Sequence, residues 1–226
     1  MVEILRAGQS DQAPRPIGNE SYSESRSLSS IQRGFEQANV PFNFRDHFKQ
    51  LPKRFPNARY IRILDGGCGQ GSLLEDIHDL ATSIRIRVRT VGIDKAERNI
   101  PDYEDATIDR FIVGTVQNAY GDGLIRKGQF HFVVDYFGAL FYDYDNKDGT
   151  GSNILPVYSR VLTPRGSLLV FAWELEPKAD WMQIRGKEQA EYDNQRFLDL
   201  INENNFRITM QKGPVALLEK SKPKRQ

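Results

Sequence analysis

The stretch that most restricts what this chain can fold into is Ile61-Arg-Ile-Leu-Asp-Gly-Gly-Cys-Gly-Gln-Gly71. A short apolar run from Tyr60 to Leu64 reads as a buried strand, and it feeds directly into the glycine-rich turn Asp65–Gly71. A helix is expected from about Ser72 to Thr82, with Ser72 and Glu75 at the spacing of a capping box. Glycines at 67, 69 and 71 permit positive φ and allow a ligand to approach bare backbone. Ligands of open α/β sheets sit at the carboxyl ends of strands, which is where such a turn falls.

The rest of the chain repeats the alternation. Ile84–Ile93 reads as a second strand ending at Asp94, and Phe111–Gly114 as a third. Phe130–Tyr136 is a fourth, and a helix from about Ser152 to Leu162 follows, stopped by Thr163-Pro164-Arg165-Gly166. Ser167–Trp173 is a fifth strand and Glu188–Asn202 a helix with Tyr192, Phe197, Leu198 and Ile201 on its apolar face. Phe206–Met210 and Val215–Leu218 flank a Lys-Gly-Pro turn and suit an antiparallel pair. Strands alternating with helices imply an α/β fold: a three-layer Rossmann-like sheet, mostly parallel, of seven strands with an antiparallel C-terminal hairpin and an N-terminal helical extension. Residues 1–28 are polar and read as a mobile arm. Residues 29–57 read as a helical extension or lid broken near Pro41, 58–220 as the main domain and 221–226 as a polar tail.

The glycine spacing separates two ligand classes. A G-x-G-x-x-G dinucleotide turn begun at Gly67 would need a small apolar residue where Ser72 stands. The sequence instead carries D-x-G-x-G-x-G, and an acid at the strand end would repel a pyrophosphate but suits a cationic ligand. Leu64–Gly71 resembles the first motif of class I S-adenosylmethionine-dependent methyltransferases. Val91–Asp94 is similar to the second, in which an acid accepts the ribose hydroxyls, a device that nicotinamide enzymes share. Phe111–Ala119 resembles the segment that meets the adenine, with Thr115 where many members have an acid, and Phe130–Tyr142 resembles the segment that faces the transferred methyl. The resemblance spans roughly residues 58–174. It implies S-adenosyl-L-methionine as cofactor, held by Asp65, Gly66, Gly67, Gly69, Asp94, Thr115, Val116 and Asp135. It also implies Asp135 and Tyr136 as the catalytic pair beside the methyl, with Glu174 after the fifth strand as a further neighbour.

Purely structural roles are open for several of these residues. Asp94 and Asp135 could be capping acids, and Cys68 simply a small residue. Tyr136, Phe137, Phe141, Tyr142 and Tyr144 could pack as core. His47, His78 and His131 are poor catalytic candidates. Asp143, Asp145 and Asp148 fail the calcium-loop register, because position six is Asp148 and position twelve Ile154. Arg85, Arg87 and Arg89 alternate with apolar residues, so one face of that stretch is solvated or binds phosphate.

Composition narrows the function classes. With 31 basic against 30 acidic residues the net charge is +1, which does not indicate a nucleic-acid or membrane partner. One cysteine excludes an internal disulfide and a cysteine-built metal site, and no metal is expected. No apolar run reaches membrane-spanning length, and a cytoplasmic location is expected. The leading expectation is a methyltransferase whose acceptor is a small molecule. The alternatives are a methyltransferase-like partner-binding protein without catalysis and a nicotinamide-dependent oxidoreductase.

Overall fold

A computed structural model describes residues 3–8, 27–95, 108–136, 138–140, 154–175 and 187–221. One eight-stranded sheet runs through them. The strands are β1 (Glu3–Arg6), β2 (Ile61–Gly66), β3 (Val88–Asp94), β4 (Arg110–Val113), β5 (Phe130–Asp135), β6 (Leu162–Phe171), β7 (Phe206–Lys212) and β8 (Val215–Lys220). Their order is β1-β4-β3-β2-β5-β6-β8-β7. Only β8 opposes its neighbours: it pairs antiparallel with both β6 and β7.

The helices are α1 (Leu28–Gln37), α2 (Phe44–Arg54), α3 (Ser72–Ser83), α4 (Val116–Gly121), α5 (Ile154–Val161) and α6 (Lys187–Glu203). Parallel neighbours need a crossover, and α3 supplies it between β2 and β3. The expected parallel sheet and closing hairpin are present. The sheet has one strand more than the seven expected. The arm expected over residues 1–28 contains β1, which lies parallel to β4 with Glu3 opposite Arg110. Arg110 forms an ion pair with Glu3 at 2.6 Å, so this edge strand is fixed by charge as well as by the ladder. Both faces of β1 are largely exposed, as suits a short edge strand.

Two apolar clusters cover the faces of the sheet. One is built from α4, α5 and α6 against β5, β6 and β8, around Leu155, Tyr158, Phe197 and Leu200. The other joins the helical extension to the opposite face through Phe35, Phe44, Phe48 and Phe132. Phe35 and Phe44 stack with centroids 6.2 Å apart, and Phe48 meets Phe132 edge-on at 5.9 Å. Burying each such side chain contributes about 1.5–3 kcal/mol. The extension is thereby part of the core layer. Ser27 caps α1 by accepting from the Ser30 N–H at 3.1 Å, and Asn43 caps α2 by accepting from the Asp46 N–H at 3.0 Å.

Two local expectations are corrected. The capping box at Ser72 does not form: Gly71 is the N-cap of α3, left-handed at φ 89°, and Ser72 is already helical. A left-handed N-cap lets the chain turn abruptly from the loop into the helix, which a serine at that position would resist. The Thr163–Gly166 turn is not a break between helix and strand. It is an irregularity within β6, after Leu162 pairs with Phe130 and before Ser167 pairs with Phe132.

Candidate functional site

Parallel strands in register bring their carboxyl ends to one edge. Gly66 lies opposite Ile93, Asp65 opposite Val134, and Asp135 opposite Val170. Four acids therefore close four consecutive strands: Asp94 on β3, Asp65 on β2, Asp135 on β5 and Glu174 just beyond β6. Between β2 and β5 the winding reverses, and that reversal is where open sheets bind ligands.

The glycine loop is fastened to the end of β3. The N–H groups of Gly67 and Cys68 both donate to the Ile93 carbonyl, at 2.7 and 2.9 Å. The Gly69 N–H donates to Asp94 Oδ2 at 2.9 Å. Gly69 sits at φ 56°, a left-handed conformation that aims this N–H at the carboxylate. Cys68 is buried, and its sulfur occupies space that Gly92 leaves by lacking a side chain. It serves as a small core residue.

Gly67 has the positive φ expected of it, at 95°, and both Gly66 and Gly67 meet close neighbours. A methyl group on Gly66 would strike the Tyr158 hydroxyl, and one on Gly67 would lie 2.8 Å from the Gly138 Cα and 2.9 Å from the Ala139 nitrogen. A methyl on Gly138 would strike the Gly66 carbonyl and sit 2.7 Å from Asp135 Oδ1. The loops after β2 and β5 thus touch through bare backbone.

Asp135 fastens that contact. It is completely buried, and its Oδ2 accepts from the Leu140 N–H at 3.0 Å and from the Tyr158 hydroxyl at 2.5 Å. Expected as a catalytic and cofactor-binding residue, Asp135 has the geometry of a positioning residue that ties α5 and the loop after β5 to the strand end. Tyr158 and Gly138 were not singled out from the sequence. No local signal marks them, because their partners lie far along the chain.

Tyr136 is half-buried and is the best placed of the expected catalytic residues. Its ring meets Phe35 of α1 edge-on at 5.5 Å and Phe171 of β6 at 5.4 Å. Burial raises the phenol above its ordinary pKa of 10.0, so at neutral pH it is a hydrogen-bond donor and not a base. Phe137, Phe141, Tyr142 and Tyr144, and the Asp143–Asp148 loop, lie outside the described residues.

Asp65 and Glu174 are buried, whereas Asp94 is half-buried and so the most accessible acid of the row. Thr115 caps α4 by accepting from the Asn118 N–H at 3.0 Å, and the Val116 side chain is buried in the core. Both side chains are engaged within the protein, which leaves backbone groups for any ligand contact there. The end of β1 reaches the same corner: the Ala7 N–H donates to the Val113 carbonyl at 2.9 Å, and the Gly8 N–H to Asp122 at 2.7 Å. His47 is buried against Ser167 Oγ at 3.1 Å, and His131 Nδ1 accepts from the Arg62 N–H at 2.9 Å, so both have structural partners. Among the described residues no helix is long and apolar enough to cross a membrane.

No protein-family model and no curated protein sequence matches the chain. Solved structures do. The CMeT domain of the citrinin polyketide synthase superposes with a TM-score of 0.61 at 17% identity, covering 92% of this chain and 58% of that one. The carbon methyltransferase CurJ gives 0.53 at 11% identity, covering 88% of this chain and 57% of that one. The plantazolicin methyltransferase BpumL in complex with SAH gives 0.50 at 14% identity, covering 88% and 94%. The chain spans less than two thirds of the length of the first two. With the strand order and the reversed β8, these likenesses fix the architecture: the chain has the Rossmann-like fold of class I S-adenosylmethionine-dependent methyltransferases.

Proposed function

We propose that the protein is an S-adenosylmethionine-dependent methyltransferase acting on a small-molecule acceptor. The observation that carries this reading is the row of acids at the carboxyl ends of β3, β2, β5 and β6. Such a row suits a ligand with a cationic centre and a ribose diol, and it disfavours a pyrophosphate. Asp94 would hold the ribose, with Gly69 keeping its carboxylate in place. Asp65 would set the potential around the ligand's amino group, and the backbone of Gly67, Gly69, Thr115 and Val116 would line the rest. When bound, S-adenosylmethionine supplies an electrophilic methyl group on a sulfonium. SAH in the complex with BpumL, and the methyltransferases among the other similar structures, support the same cofactor.

The chain's own part is alignment. Holding two reactants in an attack geometry lowers the barrier by up to about 7–11 kcal/mol. Tyr136, wedged between Phe35 and Phe171, would orient the acceptor through its phenol and ring. That phenol stays protonated, and His47 and His131 are engaged by Ser167 and the Arg62 N–H, so none of these three groups is placed as a base.

Calorimetric titration with S-adenosylmethionine and S-adenosylhomocysteine, with NAD as control, tests the site. Micromolar binding of the first two is expected, weakened at least about tenfold, or 1.4 kcal/mol, by Asp94→Ala. No binding by folded protein would favour a methyltransferase-like partner-binding protein. The close contact of the β2 and β5 loops over Gly67, with Thr115 used as a cap, supports that second reading. Tight NAD binding would favour an oxidoreductase.

A further inference from the structure

The net charge of +1 averages over a strongly uneven surface. Residues 53–64 and 84–93 contain seven lysines and arginines and no acid. They run from the end of α2 into β2 and from the end of α3 into β3, at the strand ends opposite the candidate site. Six of them are exposed: Lys53 at the end of α2, and the five arginines Arg59, Arg62, Arg85, Arg87 and Arg89. None of these five arginines forms an ion pair with a carboxylate of the described residues. The acids near this edge are engaged elsewhere: Asp109 accepts from the Thr90 N–H at 2.8 Å, and Glu219 pairs with Arg54 at 3.5 Å.

The arrangement is ordered. Arg62 lies opposite Arg89 in the parallel ladder, so these two share one face, and Arg87 immediately precedes β3, where its carbonyl accepts from the Ile61 N–H at 2.9 Å. Tyr60 sits among them, with Arg89 Cζ 4.8 Å and Arg59 Cζ 5.3 Å from its ring centroid. A guanidinium over a ring face is attracted by the ring's quadrupole, and a guanidinium can bind phosphate in a bidentate way. The five strand-end cations are all arginines, and the guanidinium fork matches a phosphodiester better than the point charge of lysine does.

We propose that this face binds single-stranded nucleic acid, by its phosphodiester backbone. The arginines stand at strand ends and in the segments leading into them and not along a helix that could enter a duplex groove, and charge with an aromatic among it is how single strands are tracked. A membrane surface fits less well. Peripheral binding is strengthened by an apolar anchor, and the exposed large hydrophobics of the described residues, Ile4 and Tyr192, lie on β1 and α6. The proposal does not depend on the methyltransferase reading, since the patch and the candidate site are at opposite strand ends.

Fluorescence anisotropy with a short, labelled, mixed-sequence single-stranded RNA tests it, run between about 50 and 200 mM salt. The triple variant Arg62→Gln/Arg87→Gln/Arg89→Gln should bind at least about tenfold more weakly. Its log–log salt slope should fall by about 2, at about 0.7 for each phosphate that is no longer neutralised. A charge-matched control, Lys49→Gln/Lys187→Gln/Lys212→Gln, should bind as the parent does, and matching circular dichroism establishes that both variants fold. No RNA binding by the parent protein at low salt overturns the proposal. So does equal weakening in the control. Binding to phosphatidylserine vesicles or polyglutamate without binding to RNA also overturns it, and assigns the face to a membrane or an acidic protein instead.

Discussion

Lowering the pH from about 7.5 to about 5 should destabilise the fold by about 4 kcal/mol through two histidines alone. His47, 9% exposed, lies between the Phe42, Phe48 and Phe132 rings, and its Nε2 meets Ser167 Oγ. Burial first, and the charge of Arg54 second, lower its pKa to about 4 from 6.5. His131, 7% exposed, is lowered to about 4 by burial and then by Arg62. Its Nδ1 accepts the Arg62 N–H, so a proton there would set donor against donor. Between about pH 6.5 and 4 the unfolded chain binds these protons and the folded chain does not, so stability falls as pH falls through that window. At about pH 5 the difference is about 1.5 units for each histidine, or about 2 kcal/mol at 1.36 kcal/mol per unit. Against a total of about 5–15 kcal/mol, the loss of two such contributions is large. Urea unfolding followed by circular dichroism at both pH values measures it. His131→Gln keeps an acceptor for Arg62 and should halve the pH-dependent loss, and adding His47→Gln should remove most of the remainder. Equal stability of the parent at the two pH values, or an undiminished loss in the double variant, would refute the reasoning.

The clamp between the two site loops makes further demands. Tyr158→Phe removes one donor from the buried Asp135 carboxylate and should cost about 1–3 kcal/mol in the same urea assay. Gly66→Ala collides with that hydroxyl, so Tyr158→Phe should partly relieve it, and a double-mutant cycle should give a coupling of about 0.5–3 kcal/mol. Gly138→Ala meets the Gly66 carbonyl, a backbone atom, and should show no relief by Tyr158→Phe.

Much of the fold is legible in the sequence because strand–helix alternation is a local pattern. Every strand from β2 to β8 falls within a few residues of its expected place, since apolar runs such as Phe130–Val134 and Leu168–Phe171 have no other stable use. β1 is different. Glu-Ile-Leu-Arg carries no alternation long enough to register as a strand, and it becomes one only because β4 offers an open edge and Arg110 a partner for Glu3. Ser72 misleads for a related reason: its spacing to Glu75 satisfies a local rule, but the positive φ of Gly71 already starts the helix one residue earlier.

The glycine run shows where sequence reasoning about a site stops. A string of glycines at a strand end states that something must come close, and nothing in the string states what. Gly69 and Asp94, twenty-five residues apart, meet through one N–H and a carboxylate, an arrangement legible because both lie at the ends of adjacent strands. Gly67 has the expected positive φ, but that Gly66 and Gly67 also meet Tyr158, Gly138 and Ala139 depends on how α5 packs against the sheet. The same packing buries Asp135, so an acid that reads as a ligand contact becomes the bolt holding two loops together. A site reading taken from strand ends alone names one edge of the sheet, and which residues there are held by other residues is decided by contacts more distant in the chain.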